Sequence, residues 1–204
     1  MRRFIVVGQQ ARTARDFPLD DICGAAGRWD LLARCVQASL FISHDLRRDS
    51  ELVLVLLGPP DAPKAIRVSG DQVRNLNADE RSTAALLSRT LDEHLPIGGR
   101  WVKALPGIHV ARRDLEAVLA EYSDGPIVLM DEEGSVDGLD LPSHIRDYES
   151  ATFVLGDSKG LTEEQLVLIR DRGPLEVRLG PLSLHVDHCI AIVHNILDRA
   201  IEDD

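Results

Sequence analysis

Hydrophobic and polar positions along this chain form two kinds of segment. Short β-branched or apolar runs bounded by Gly, Pro or Asp predict strands, at residues 3–8, 51–58, 64–69, 107–111, 126–131, 151–155 and 174–179. Apolar positions at a helical period predict helices between them, at about 28–46, 79–95, 113–123, 162–172 and 183–202. Because apolar strands alternate with helices, the pattern predicts one α/β domain over residues 1–204. Its sheet is expected to be mostly parallel, with helices on both faces.

The predicted helix 28–46 is apolar around most of its circumference. A helical wheel, with successive residues about 100° apart, leaves one narrow polar stripe. It consists of Asp30, Arg34, Gln37, His44, Asp45 and Arg48, with the apolar Phe41 among them. Such a stripe either faces a cleft or is hydrogen-bonded internally, for example as an ion-pair row of Asp30 and Arg34. Helix 183–202 also carries a broad apolar face, and the two faces together predict a homodimer.

Composition narrows the function classes. The 204 residues are 44% hydrophobic and carry a formal net charge of −11. No apolar run approaches the roughly 18 residues of a membrane span, and the apolar patch near the start lacks a signal-peptide cleavage site. A cytoplasmic protein without a membrane segment is therefore predicted.

Cysteine and lysine usage add two expectations. Cys23, Cys35 and Cys189 are an odd number without a CxxC pair, so reduced thiols are expected. Only three lysines accompany 22 aspartates. Asp-rich surfaces of this kind keep proteins soluble in concentrated salt, which predicts a halophilic source.

Charge is distributed unevenly along the chain. Residues 1–48 hold eight arginines and five acidic residues, a net charge of +3. The remaining residues, 49–204, carry a net charge of −14. If the partner is a nucleic acid, the basic N-terminal quarter is predicted to contact it.

Three groups of residues could carry chemistry. His185, His188, Cys189 and His194 have metal-ligand side chains, but helical geometry turns His194 away from the others and excludes a four-ligand site on this helix. A site of His185, Cys189 and one distant ligand stays open, although its spacing is not a recurrent zinc spacing and no metal is predicted. The dyad of His44 and Asp45 leaves a metal-dependent phosphohydrolase open as an alternative. The turn 156–160 follows a predicted strand and lacks the P-loop spacing, so a nucleoside triphosphate site is not favoured. Its position instead suits a turn beneath some other ligand at the carboxyl edge of the sheet.

Several blocks of sequence carry a family resemblance. Gly27 begins the run Gly-Arg-Trp-Asp-Leu-Leu-Ala-Arg-Cys, and Leu179 begins Leu-Gly-Pro-Leu-Ser-Leu-His. Further matching blocks follow in order at 43–49, 106–110, 153–157, 188–190 and 192–199. Together they resemble the archaeal tRNA (pseudouridine-54, N1) methyltransferases of the SPOUT superfamily, over essentially the whole chain.

The resemblance implies a C-terminal trefoil knot, a homodimer and S-adenosylmethionine as cofactor. The implied cofactor-binding residues are Leu129, Met130, Gly156, Asp157, Leu179, Gly180, Pro181, Leu182, Ser183, Leu184 and Cys189. Their strand-end positions agree with the general site of ligand binding in α/β folds.

The implied reaction moves a methyl group to N1 of pseudouridine 54 in the T-arm loop of tRNA. Arg28, Arg34, Arg47 and Arg48 are the candidates for RNA binding, since arginine suits phosphates and base edges. Asp21 and Asp49 are the catalytic candidates, as bases or orienting groups; alternatively they pair with those arginines.

Two other functions stay open besides the phosphohydrolase. One is methylation of a different RNA nucleoside, such as a ribosomal RNA pseudouridine or a ribose hydroxyl. The other is a non-catalytic RNA-binding module. Binding of S-adenosylmethionine distinguishes an enzyme from such a module.

Overall fold

Nine strands form one mixed sheet in the computed structural model, which describes residues 1–202 and the side chains of residues 1–200. They are β1 (Arg2–Gly8), β2 (Ser50–Leu56), β3 (Lys64–Ser69), β4 (Val102–Leu105), β5 (Ile108–Ala111), β6 (Ile127–Met130), β7 (Val136–Asp137), β8 (Ala151–Gly156) and β9 (Leu175–Arg178). Their order is β4-β5-β3-β2-β1-β8-β6-β9-β7.

The sheet has a parallel part and an antiparallel part. The pairs from β2 through β1, β8, β6 and β9 to β7 are parallel, whereas β3, β5 and β4 add antiparallel strands beside β2. The mostly parallel sheet is thus confirmed. We call the side where β1, β2, β6, β8 and β9 end the carboxyl edge, and the side where they begin the amino edge.

Five of the six described α-helices connect strands, and the sixth follows β9. They are α1 (Trp29–Leu40), α2 (Glu80–Ser88), α3 (Leu115–Leu119), α4 (Leu141–Ile145), α5 (Glu163–Arg170) and α6 (Val186–Glu202). Every strand and helix predicted from the pattern is present, while β4, β7 and α4 were not predicted. At two to five residues, these three are too short to produce a periodic hydrophobic signal.

The predicted extension of the first helix to residue 46 is wrong. α1 ends at Leu40, and Phe41 is extended, with φ −86° and ψ 137°. A tight turn follows in which Asp45 accepts a hydrogen bond from the backbone N–H of Leu46 at 2.7 Å. His44 and the residues after it therefore lie on this turn and form no stripe with Asp30.

Side chains of successive strand residues build a core on each face of the sheet. Phe4 and Phe153 stack with ring centroids 5.1 Å apart, on the face covered by α1, α2 and α6. Ile5 and Val154 belong to the opposite core, which includes residues of α3 and α5. Helices on both faces are thereby confirmed.

Burial of α1 changes one argument for a dimer. The apolar residues Leu31, Leu32, Cys35, Val36 and Leu40 are at most 2% exposed within this one chain. Their burial needs no second copy, because α6, α2 and the sheet already cover the helix. Any apolar contact with a second protomer must use other residues.

Two further sequence expectations concern global features. Among the described helices, none combines the length and apolar character needed to cross a bilayer. The trefoil knot implied by the resemblance stays a prediction.

Candidate functional site

A cavity of about 760 Å³ opens at the carboxyl edge, where β6, β8 and β9 end. Its volume falls in the range of small-molecule sites, roughly 300–1,000 Å³. The lining combines strand ends, the loop 179–185, the start of α6 and the start of α1. Parallel α/β sheets bind ligands at this edge because their strand ends and loops converge there.

The cavity wall is apolar inside and acidic at one side. Leu129, Leu155 and Val177 are buried at the strand ends. Glu132 accepts a hydrogen bond from the hydroxyl of Ser183, which joins the loop after β6 to the loop after β9. Glu133 also lines the cavity. An apolar, acid-rimmed site suits a ligand with an aromatic part and a positive charge.

Asp157 fixes the turn that follows β8. Its carboxylate accepts hydrogen bonds from the backbone N–H groups of Gln9 and Lys159, both at 2.8 Å. The backbone N–H of Asp157 donates to Val7 at 3.0 Å. This turn packs so closely that a Cβ on Gly156 would lie 2.5 Å from the carbonyl carbon of Gly160. The residues therefore hold the cavity floor in place through backbone contacts.

Arg28 reaches the cavity from the start of α1. Its backbone is left-handed, with φ 71° and ψ 33°, a conformation that costs a non-glycine residue about 1–2 kcal/mol. The guanidinium donates to both carboxylate oxygens of Asp30, at 3.0 and 3.1 Å, and to the hydroxyl of Ser158 at 3.2 Å. The side chain thus links α1 to the turn after β8.

Asp30 is the centre of a charge network. It is buried and also accepts a hydrogen bond from the guanidinium of Arg34 at 3.2 Å. Burial alone would raise the pKa of Asp30, but the hydrogen bonds and charges of the arginines outweigh it and lower the pKa. Arg34 also lies 3.4 Å from Asp187 and 3.5 Å from Glu80. The ion-pair row considered for this helix is therefore present and extends to α2 and α6.

The cysteines beside the cavity are poor nucleophiles. Cys189 lines the cavity, and burial, followed by the charge of Asp187, raises its pKa to about 11. Burial likewise raises the pKa of Cys35 well above its usual value. Both thiols stay protonated at neutral pH, so they act as packing groups.

The predicted cofactor-binding residues are brought together. All of them line this cavity except Pro181. The sequence reasoning missed several lining residues, namely Leu31, Asp131, Glu132, Glu133, Leu155, Ser158, Gly160, Leu161, Leu166, Val177, His185 and Val186. Strand-end position could have indicated Leu155, since it sits where a predicted buried strand stops, whereas Val177 lies two residues before the predicted end of its strand.

The catalytic candidates lie elsewhere. Asp21 caps the turn before α1 by accepting hydrogen bonds from the backbone of Gly24 and Ala25, at 2.8 and 2.9 Å. Asp49 is at the amino edge, 3.7 Å from the guanidinium of Arg2. Neither lines the cavity, and their catalytic role stays a prediction.

The four arginine candidates separate into two groups. Arg28 and Arg34 belong to the network beside the cavity, whereas Arg47 and Arg48 lie at the amino edge, before β2. Five residue steps along a strand separate the two edges, about 17 Å. Arg47 donates to both carboxylate oxygens of Asp198, and exposed Arg48 donates to Asp45 at 2.6 Å.

The histidine side chains considered in the sequence are not arranged as a metal-binding site. His44 is exposed on the turn after α1, and the rings of His185 and His188 stack with centroids 5.6 Å apart. Among side chains 1–200, no group of three His, Cys, Asp or Glu residues is placed to hold a metal ion.

Comparison with known proteins identifies the class. Residues 1–201 match the model of the family described as "Putative SAM-dependent RNA methyltransferase". The chain belongs to this family, which confirms the resemblance found in the sequence.

Particular relatives carry a more specific name, tRNA (pseudouridine(54)-N(1))-methyltransferase. The protein of that name from Methanocella arvoryzae is 42% identical over 199 residues, covering 98% of this chain and 100% of the relative. The one from Halobacterium salinarum is 43% identical over 201 residues, covering 98% and 97%. Both therefore match over nearly their full lengths.

The fold is shared with a solved structure, Archaeoglobus fulgidus Nep1 bound to S-adenosylhomocysteine. The TM-score is 0.68, with 98% of both chains covered and 15% sequence identity. The similarity supports the predicted fold class.

The cavity residues fit S-adenosylmethionine. Its adenine suits the apolar strand ends, and its sulfonium and ammonium groups suit the carboxylates of Glu132 and Glu133. Its carboxylate suits Arg28, the one arginine among the lining residues that the structure describes. At Gly180 a Cβ would meet no atom within 4 Å, so this backbone borders open cavity space.

Proposed function

We propose that this protein transfers a methyl group from S-adenosylmethionine to N1 of pseudouridine 54 in the T-arm loop of tRNA. The cavity at the carboxyl edge carries the proposal, because its apolar wall, acidic rim and Arg28 match the chemistry of that cofactor. Relatives about 40% identical over nearly the whole chain bear the name of this activity.

Bound S-adenosylmethionine supplies a methyl group activated by a positively charged sulfur. The chain's contribution is orientation. Alignment of a nucleophile with a reacting carbon can supply an effective molarity of about 10⁵ M or more. Asp157 and the network of Arg28 and Asp30 hold the cavity wall rigid, which keeps that alignment without a metal ligand or a covalent intermediate.

Pseudouridine offers a free N1–H because its ring is joined to the sugar through carbon. A target base in a folded loop must be unstacked to enter the cavity. Arg28 stands at the cavity, where the RNA contact predicted for it and the cofactor carboxylate would compete for one guanidinium, and we assign that group to the cofactor. Asp21 and Asp49 do not reach the cavity within one chain, so a role for either in accepting the N1 proton requires a second protomer to bring it there.

A homodimer is part of the proposal. α6 presents Cys189, Ile192 and Ile196 at spacings of three and four residues, each only partly buried. Leu182, 75% exposed, lines the cavity together with Cys189, and Leu139, 78% exposed, follows Gly138, where a Cβ would lie 3.5 Å from Ile196. The stripe borders the cavity, so a second copy docked there would complete its mouth. Sedimentation equilibrium should give about twice the 22.5 kDa chain mass.

The deciding experiment compares two transcripts of one tRNA, with pseudouridine or uridine at position 54. Radiolabelled S-adenosylmethionine should transfer label only to the pseudouridine transcript, and mass spectrometry of the nucleosides should find N1-methylpseudouridine. Label found at another nucleoside would show that this other nucleoside is the substrate. Absence of cofactor binding by calorimetry would instead support a non-catalytic RNA-binding module.

A further inference from the structure

One stretch of the acidic part of the chain contains no carboxylate. Of the 204 residues, 34 are acidic, yet residues 94–113 include no Asp or Glu. The same stretch holds Arg100, Lys103, Arg112 and Arg113, together with two histidines. It comprises β4, β5 and their flanking loops, and we call it the β4–β5 surface. On a chain of net charge −11, a local positive charge is the region to which a polyanion would be attracted electrostatically.

Strand register gathers part of this charge in a row. Arg67 of β3 pairs with His109 of β5, which pairs with Lys103 of β4. Directly opposite residues in neighbouring strands point to the same face of a sheet. Burial, followed by the charges of Arg67 and Lys103, lowers the pKa of His109. Arg67 is paired with Glu121 at 2.9 Å, so the uncompensated positive charge of the row at neutral pH is that of Lys103.

A second part of the charge stands at the carboxyl edge. Arg112 and Arg113 follow the end of β5 and line a cavity of about 610 Å³. Arg112 donates to both carboxylate oxygens of Asp61 at 2.8 Å. Arg113 donates to the carbonyl of Gly99 at 2.5 Å and to Glu121 at 2.6 Å. These bonds hold the two guanidinium groups in fixed positions at the surface.

Two cations of the surface have no carboxylate partner. Arg100 and Lys103 are exposed, and neither forms a salt bridge with any other side chain of residues 1–200. Exposed cations that are not committed to an internal ion pair can bind phosphate without breaking an existing contact.

The β4–β5 surface faces the same edge as the methyl-transfer cavity. β3 begins beside the end of β2, since Lys64 pairs with Leu56, so β5 ends and β4 begins at the carboxyl edge. Four strand-to-strand steps separate β5 from β8, about 19 Å. An RNA lying along this edge can place one nucleotide in the cavity and a more distant phosphate on the β4–β5 surface.

We propose that the β4–β5 surface binds the phosphate backbone of tRNA away from the nucleotide that is methylated. This inference rests on the proposed function. RNA fits the surface because its backbone is a regular line of negative charge, whereas the rest of residues 49–204 would repel it. Contacts of this kind fix register and orientation and carry no sequence preference.

The test uses Arg100→Ala/Lys103→Ala, since neither side chain has an ion-pair partner among those described. We expect about tenfold weaker tRNA binding at low salt and a plot of log affinity against log salt flatter by about 1–2. S-adenosylmethionine affinity should not change. Arg146→Ala, at an exposed arginine beyond α4 on the amino edge, is the control and should match wild type.

The outcomes separate this inference from the proposed function. If wild-type protein methylates pseudouridine-54 tRNA and the double variant keeps the same tRNA affinity and salt slope, the surface serves another partner and the inference is wrong. Loss of cofactor affinity in the variant would also overturn it. A wild-type protein that neither binds nor methylates tRNA would instead refute the proposed function.

Discussion

Arg47 donates to both carboxylate oxygens of Asp198, at 3.1 and 2.6 Å, and so joins the start of β2 to the end of α6. Arg2 donates to the same carboxylate at 2.5 Å and to Nδ1 of His194 at 3.1 Å. The cluster closes with Ser39, whose carbonyl lies 3.1 Å from Nε2 of His194. The cluster links the N-terminal strand β1 to the C-terminal helix α6 at the amino edge, whereas the cavity lies at the carboxyl edge.

The first prediction concerns this cluster. Arg47→Ala removes two charge-assisted hydrogen bonds from a mostly buried guanidinium and should lower the free energy of unfolding by about 1–3 kcal/mol. Arg48→Ala removes an exposed pair and should leave the urea midpoint close to wild type. Calorimetry should find S-adenosylmethionine affinity unchanged in both variants. Equal stability of the two variants would contradict the structural role of Arg47.

The second prediction is a pH dependence of stability through His194. Arginine can only donate and a backbone carbonyl can only accept, so the ring is neutral with its proton on Nε2. Burial, and then the charges of Arg47 and Arg2, lower the pKa of His194 to about 4. The unfolded chain binds a proton near pH 6.5, so stability is fully present above that pH and is lost as pH falls towards 4.

The size of this effect is about 3 kcal/mol, since each pKa unit corresponds to about 1.4 kcal/mol. Urea unfolding between pH 7 and pH 4 measures it, with His194→Gln as the reference because that variant lacks the titrating ring. The wild type should lose more stability than the variant over this interval. Parallel curves for the two proteins would show that His194 does not carry the dependence.

The third prediction places the cofactor at Gly180. Gly180→Val puts a branched side chain where the cavity is open, and the residue has φ +154°. The dissociation constant for S-adenosylmethionine should rise at least about tenfold, which is a loss of roughly 1.4 kcal/mol in binding free energy. Gly173→Val is the matched control, because Gly173 also has a positive φ, of +63°, and open space, but lies at the amino edge. Calorimetry should show a loss of binding for Gly180→Val alone.

The fourth prediction concerns Asp30. Asp30→Asn leaves Arg28 and Arg34 without their shared carboxylate, and should destabilise the fold by about 2 kcal/mol. Because Arg28 then loses its fixed position, cofactor affinity should fall as well. Asp45→Asn is the control, because it removes the charge of an exposed arginine pair and keeps a side-chain oxygen that can accept from the backbone N–H of Leu46. Retained affinity in a destabilised Asp30→Asn protein would show that the network supports the fold without shaping the cavity.

Local pattern was enough for most of the architecture, while the family resemblance supplied the residues that meet in the cavity at the carboxyl edge. Apolar runs such as 52–56 are buried on both faces, so their hydrophobicity alone identifies strands. Parallel strands end at one edge, so residues just after them, including Gly156 and Leu179, were bound to come together. Helix periodicity also indicated the pair of Asp30 and Arg34, because both partners lie within one turn of the same helix.

Tertiary structure decided which charges meet and which surfaces stay open. Arg47 and Asp198 are 151 residues apart, and no local period relates residues whose proximity depends on strand order. The end of α1 was decided by the turn at Asp45 and the bridge between Phe41 and Leu46, since the apolar residues beyond Leu40 fit a helical period equally well. Burial of α1 and exposure of Lys103 in β4 depend on the neighbouring strands and helices, and sequence pattern does not contain that information.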